Sequence, residues 1–294
     1  MIHNNPNSRS GWHGHLQLTY RYNRAKTQAI EHQGIAPLKV QRSFYPEGEA
    51  ICHNTILHTA GGIVGGDRLQ IEIELQPKSR AVITTAAAGK IYGSNGTAAS
   101  QQIVQNIGDN ACLEWLPQET IIFNGAIFEQ HLQVHLAETA SWLGWEINRF
   151  GRTARGERFT HGEWKSATEV YREGKPIWID RQLLSGNETI DRPNSLAGYP
   201  IVGSLAWIGA GAIVPTTTHR DLQDRSMSKA IVMAARSLFS GEPSKIGVTR
   251  LTEGLLCRYR GDSTTEVRQW FTAVWHLLRH SFLQSSPIHP RVWQ

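Results

Sequence analysis

A chain of 294 residues that is 40% hydrophobic and 19% charged has enough apolar content to bury a core and too much to remain disordered. Thirty basic against 25 acidic residues leave a net charge of +5, which permits an acidic partner but supplies no concentrated cationic face for nucleic acid. Three widely spaced cysteines, Cys52, Cys112 and Cys257, make no disulfide framework; with no apolar signal segment at the N-terminus, a reducing, cytoplasmic setting is expected.

The first ten residues are polar and read as a flexible tail, leaving 11–294 as one β-rich domain. From Trp12 to about Leu184 the hydrophobic period is mostly two. In DRLQIEIEL, Leu69, Ile71, Ile73 and Leu75 point one way while Arg68, Gln70, Glu72 and Glu74 point the other. AIFEQHLQVHL sets Phe128, Leu132, Val134 and Leu136 against Glu129, His131, Gln133 and His135. Shorter strands are expected in AVITT, QQIVQNI, CLEWL, SWLGWEI, TEVYRE and PIWIDRQLL, with turns at Asn95-Gly96, Asn124-Gly125 and Glu173-Gly174 between them. Strands at this density, with no helical period separating them, predict layered antiparallel β-sheets and not βαβ units. The uncharged stretch from Ile201 to Pro215 is shorter than the roughly 20 residues a membrane-spanning helix needs.

The period changes near the C-terminus. His219 to Phe239 carries Leu222, Met227, Ala230, Ile231, Ala234 and Leu238 at helical spacing, so a helix is expected near 219–240 until Gly241 and Pro243 stop it. KIGVTRLTEGLLCRYRG reads as two strands. A second helix, near 262–284, begins with a capping box from Ser263 to Glu266.

Several motifs fail as chemistry. HTAGGIVGGD, from His58 to Asp67, places a carboxylate where a phosphate loop needs Lys and Ser or Thr, and Gly89-Lys90 lacks the rest of that loop. No G-x-S-x-G elbow, HExxH or CxxC is present. Cys52, Asn54, Ile56 and His58 share one strand face and His53 the other; Glu129, His131 and His135 share a polar face best read as solvated. Gly61, Gly62, Gly65 and Gly66 read as an unusual turn that presents Asp67 to a channel or a partner. Glu114, Glu119, Glu146 and Glu157 read as surface charge or structural ion pairs.

Six blocks then stand in a telling order: APLKVQRSFYPEG, LHTAGGIVGGDRL, TTAAAGKIYGS, LEWLPQETIIFNGA, WEINRFGRTARGERF and HPRVW. Together they resemble the urease accessory protein UreD (UreH) family, from about Trp12 to Trp293. The resemblance implies a β-helix-like layered fold with two α-helices. It also implies a non-catalytic urease maturation factor: a scaffold that binds the accessory protein UreF, reaches the GTPase UreG through it, docks on apo-urease subunits and helps deliver nickel. No tightly bound cofactor follows, only transient Ni²⁺. Carried over residue by residue, Asp67, Thr84, Thr85, Glu146 and Asp180 are expected to line or gate a nickel path. Gly61, Gly62, Gly65, Gly66, Glu119, Arg152 and Glu157 are expected in structural or partner-binding roles. The mechanical alternative is that Asp67 and Glu119 satisfy buried backbone donors. Two other functional readings are a free-standing nickel-binding protein and an enzyme with an unrecognised site.

Overall fold

Period-two alternation folds most of the chain into strands, and the computed structural model describes residues 11–186, 191–209, 228–242 and 245–293. Within these, one sheet has seven strands: β1 (His13–Asn23), β2 (Lys26–Ile35), β5 (Arg68–Leu75), β8 (Ala99–Ile107), β11 (Ile127–Leu136), β13 (Glu163–Arg172) and β14 (Lys175–Ser185), in the order β14-β13-β11-β8-β5-β1-β2. The other sheet runs β16 (Ile246–Leu251), β17 (Gly254–Gly261), β15 (Ile201–Gly209), β12 (Ser141–Phe150), β9 (Cys112–Leu116), β6 (Arg80–Thr85), β4 (Ile51–His58) and β3 (Leu38–Val40). Two short strands, β7 (Gly89–Ile91) and β10 (Thr120–Ile122), join it beside β12.

The chain winds as a solenoid. Each turn leaves one strand in the second sheet and the next long one in the first: β4 then β5, β6 then β8, β9 then β11, β12 then β13. Successive turns stack in parallel and in register, so that Ile71, Ile103 and Leu132 form one row. The expected fold class therefore stands, mainly β and β-helix-like, but its strand direction needs correcting. Neighbours are parallel through both sheet centres, and antiparallel only toward the edges: β1–β2, β13–β14, β3–β4, and β12–β15–β17–β16. Parallel neighbours need a crossover connection, usually a helix. Here the crossover is a strand of the opposite sheet, so the absence of helical period was no argument against parallel pairing.

Alternation along each strand builds two cores. Leu69, Ile71, Ile73 and Leu75 point into the layer between the sheets, with Leu16, Leu18, Ile83 and Leu113. The opposite face of the second sheet, with Leu143, Trp145, Leu205 and Trp207, packs against the helices. Helix α1 (Lys229–Ser237) covers only part of the 219–240 prediction, because 210–227 lies outside the described residues, as do the first ten. Helix α2 (Thr264–Leu283) starts where expected: Ser263 caps it by accepting the Glu266 N–H. The Glu266 carboxylate accepts from the Tyr259 hydroxyl instead of closing the box on Ser263.

Val267, Trp270, Phe271, Val274, Trp275 and Leu278 of α2 are all buried, each contributing about 1.5–3 kcal/mol through burial. Those aromatics belong to the core and do not form an exposed partner face. Arg279, with its side chain 1% exposed, locks the helix down by donating to both oxygens of Glu47, each at 2.9 Å, and to Glu114 at 2.6 Å. All three cysteines are buried and free, and among the described residues no helix is long and apolar enough to cross a membrane.

Candidate functional site

Between the two sheets lies a cavity of about 400 Å³, room for roughly a dozen waters at their liquid volume. Its walls come from β5, β8, β11, β13 and β14 on one side and from β3, β4, β6, β9, β12 and β15 on the other. It therefore crosses the strands and follows the solenoid axis. Four interstrand steps from β5 to β14 make about 19 Å. One end is framed by His58, Gly61, Gly62 and the Thr85–Lys90 segment, where Ala87 and Lys90 are exposed; the other reaches Asp180 and Ser204.

Apolar walls carry the middle, from Ile71, Ile103, Leu132, Trp142 and Ala206. A polar row crosses the first sheet beside them. Gln101 pairs in register with Gln130, Gln130 with Ser166, and Ser166 with Gln182. Opposite, Glu146, Ser204 and Arg258 are in register across β12, β15 and β17. The two rows meet at the Asp180 end. There the Ser166 hydroxyl donates to Glu146 Oε2 at 3.2 Å, and the Asn148 amide donates to Glu146 Oε1. Arg258 pairs with Asp180 at 2.7 Å, while Gln182 donates to the other Asp180 oxygen at 2.9 Å. Burial pushes the Glu146 carboxyl up from its ordinary value, and the Asp180 charge adds to this; donation from Asn148 and Ser166 and the charge of Arg258 pull the other way without prevailing.

The residues expected on a nickel path separate into two groups. Thr85, Glu146 and Asp180 line the cavity. Thr84 does not, because adjacent strand residues face opposite ways: its hydroxyl donates to Leu116 O at 2.6 Å and accepts from Trp293 Nε1 at 3.1 Å, toward the helices. Asp67 is 5% exposed and outside the cavity wall; its Oδ1 accepts the Trp12 N–H at 2.8 Å and its Oδ2 the Val64 N–H at 2.9 Å. The glycine cluster shapes that corner. Gly66 has φ +93°, in the left-handed region glycine favours, and a Cβ on Gly62 would stand 2.7 Å from Lys90 O. Gly61 and Gly62 line the cavity mouth, whereas a Cβ on Gly65 would meet Thr97 O at 2.6 Å.

Glu119 pairs with Arg268 of α2, and it is its carbonyl, not its carboxylate, that accepts the Gly89 N–H at 2.9 Å. Glu157 accepts from Asn124 N at 3.0 Å and from Arg152 Nε at 2.6 Å, and the Arg152 guanidinium lies 4.8 Å from the centre of the Phe123 ring. This pins the turn after β10. Glu129, His131 and His135 lie on the outer face of the first sheet, where His131 approaches Glu169 at 3.4 Å and His135 stacks on Tyr171.

Sequence reasoning missed Gln101, Gln130, Ser166, Gln182, Ser204 and Arg258. A signal existed for Gln130: it shares the parity of Phe128, Leu132, Val134 and Leu136, a polar residue on an apolar face. Among the described residues no three of His, Cys, Asp or Glu gather closely enough to enclose a metal ion. What Glu146 and Asp180 offer, with amides and hydroxyls beside them, is a set of oxygen donors for brief contacts with a hydrated cation.

A family model described as UreD urease accessory protein matches residues 13–294. The chain is 58% identical over 285 residues to the urease accessory protein UreD of Nostoc punctiforme, covering 97% of this chain and 96% of that one. It is 56% identical over the same length and coverage to the protein of that name from Trichormus variabilis, and 55% identical to that of Nostoc sp. strain PCC 7120, again covering 97% and 96%. With the family model and these relatives matching nearly the whole length, this chain belongs to the UreD family of urease accessory proteins.

Proposed function

We propose that this protein serves urease maturation as a non-catalytic scaffold through which nickel passes toward the apo-urease active site. The observation that supports this reading is the inter-sheet cavity along the solenoid axis, apolar in its middle and reaching Glu146 and Asp180 at one end. The carboxylates of Glu146 and Asp180 are oxygen donors that exchange readily, so in this reading a hydrated divalent ion is handed on and not stored. In this reading the chain works in the cytoplasm, in a complex with UreF and, through it, the GTPase UreG, which supplies the nucleotide chemistry. The complex docks on the urease subunits.

The test is the nickel content and activity of urease co-expressed with its other accessory proteins, with and without this chain. Intact, nickel-poor, inactive urease in its absence supports the reading; full metallation at limiting nickel overturns it. Nickel bound stoichiometrically and below micromolar by the chain alone would favour a storage protein instead.

A further inference from the structure

The Asp180 end of the passage already holds a cation. Arg258 projects from β17 on the inter-sheet face, and its Nη2 lies 2.7 Å from Asp180 Oδ1 while its Nη1 donates to Ser204 Oγ at 3.0 Å. The Arg258 side chain is 38% exposed and that of Asp180 only 15%, so the guanidinium stands between solvent and the carboxylates.

Two residues on, Arg260 makes a contrast. It faces the same way but spends its guanidinium on the backbone carbonyls of Pro193 and Ser195, at 2.8 and 2.7 Å. Arg260 is built into the fold. Arg258 instead holds one carboxylate and one hydroxyl, from a position where its long side chain can swing into water.

Charge makes the consequence definite. Glu146 and Asp180 together match one divalent ion, but with Arg258 in place Asp180 Oδ1 is taken and a second cation is repelled at short range. Resting on the passage reading above, we infer that Arg258 is the resident counter-cation and gate of this end: a divalent metal ion engages Glu146 and Asp180 only by displacing its guanidinium. The residue thereby sets which cargo is admitted. A monovalent ion gains too little from the two carboxylates to displace a hydrogen-bonded guanidinium, whereas a divalent ion carries twice the charge toward the same pair and gains about twice as much.

The test is equilibrium dialysis against NiCl₂ near neutral pH, using the full chain on a solubilising fusion partner. The variants are Arg258→Gln, which keeps a donor to Asp180 without the charge, Arg258→Lys, which keeps the charge, and Arg258→Gln with Glu146→Gln; circular dichroism melting checks that each is folded. The expected result is one nickel ion bound at least about tenfold more tightly by Arg258→Gln than by the unsubstituted chain. Arg258→Lys should stay near the parent value, and the double variant should lose the gain. Equal binding by Arg258→Gln and the parent overturns the gate, as does a gain that survives Glu146→Gln. If Arg258→Gln is unfolded, the comparison moves to Arg258→Lys with and without Asp180→Asn: an unchanged nickel affinity on removing Asp180 overturns the gate equally. Failure of the passage reading is separate, since it appears as urease fully loaded with nickel without this chain.

Discussion

Asp67 tests whether a motif carboxylate acts on cargo or on the chain itself. Replacing it with Ala strips acceptors from two backbone donors, Trp12 N at 2.8 Å and Val64 N at 2.9 Å, in a corner where the side chain is nearly buried. Hydrogen bonds to a charged acceptor contribute about 1.5–3 kcal/mol each. Trp12 lies close to the chain's start and can recover part of its bond from water, so a loss of about 3 kcal/mol is expected. Asp67→Asn keeps one acceptor and turns an N–H toward the other donor, for about 1–2 kcal/mol. Thermal melting followed by circular dichroism reads both: for a protein of this size about 2–4 °C per kcal/mol makes the alanine variant melt about 6–12 °C lower. Urease activation should then fall in proportion to the folded protein that remains. A melting temperature unchanged within a degree, beside collapsed activation, would refute this reasoning and return Asp67 to the nickel path.

Three further outcomes are expected. Arg279→Met leaves Glu47 and Glu114 buried without their guanidinium and should cost about 3–5 kcal/mol in urea unfolding; a cost below 1 kcal/mol would mean that α2 is held by its apolar face alone. Ala88→Trp, from the loop at the passage mouth, should leave melting nearly unchanged while urease activation at limiting nickel drops several-fold, and full activation would count against the passage. Glu169 is held at about 2, against an ordinary 4.5, first by donation from Arg181 and then from Tyr171. Its contribution is therefore complete above pH 4.5 and is lost as pH falls toward 2, so Glu169→Gln should flatten the stability profile in that window and leave its shape at neutral pH unchanged.

Much of this fold was readable one strand at a time. DRLQIEIEL declared its inward face, and Ser263 its helix start, because both signals are carried within a few residues. Strand direction was not readable, because β5 and β8 pair across a strand of the other sheet, and nothing local distinguishes that connection from a hairpin. The passage lay between these cases. Thr85, Glu146 and Asp180 entered through motif resemblance, while Gln101, Gln130, Ser166 and Arg258 needed the register of five strands before they formed one site.

Yet Gln101, Gln130 and Ser166 each sit at the parity of their strand's apolar face, and that parity is sequence information; Arg258 does not, because Leu255, Cys257 and Tyr259 make the apolar face of β17. One such residue is unremarkable. Several, recurring on successive turns of a solenoid, place their side chains in one row along its axis, since parallel in-register stacking aligns equal positions. Burying such a row dry costs the desolvation of every amide and hydroxyl in it. The row therefore calls for water and for the space to hold it, which the cavity of about 400 Å³ supplies. The polar row and the passage have the same cause. Filling one rung with an apolar residue, as Gln130→Leu would, is expected to stabilise the fold while obstructing passage, the opposite signs that separate a functional polar row from a structural one.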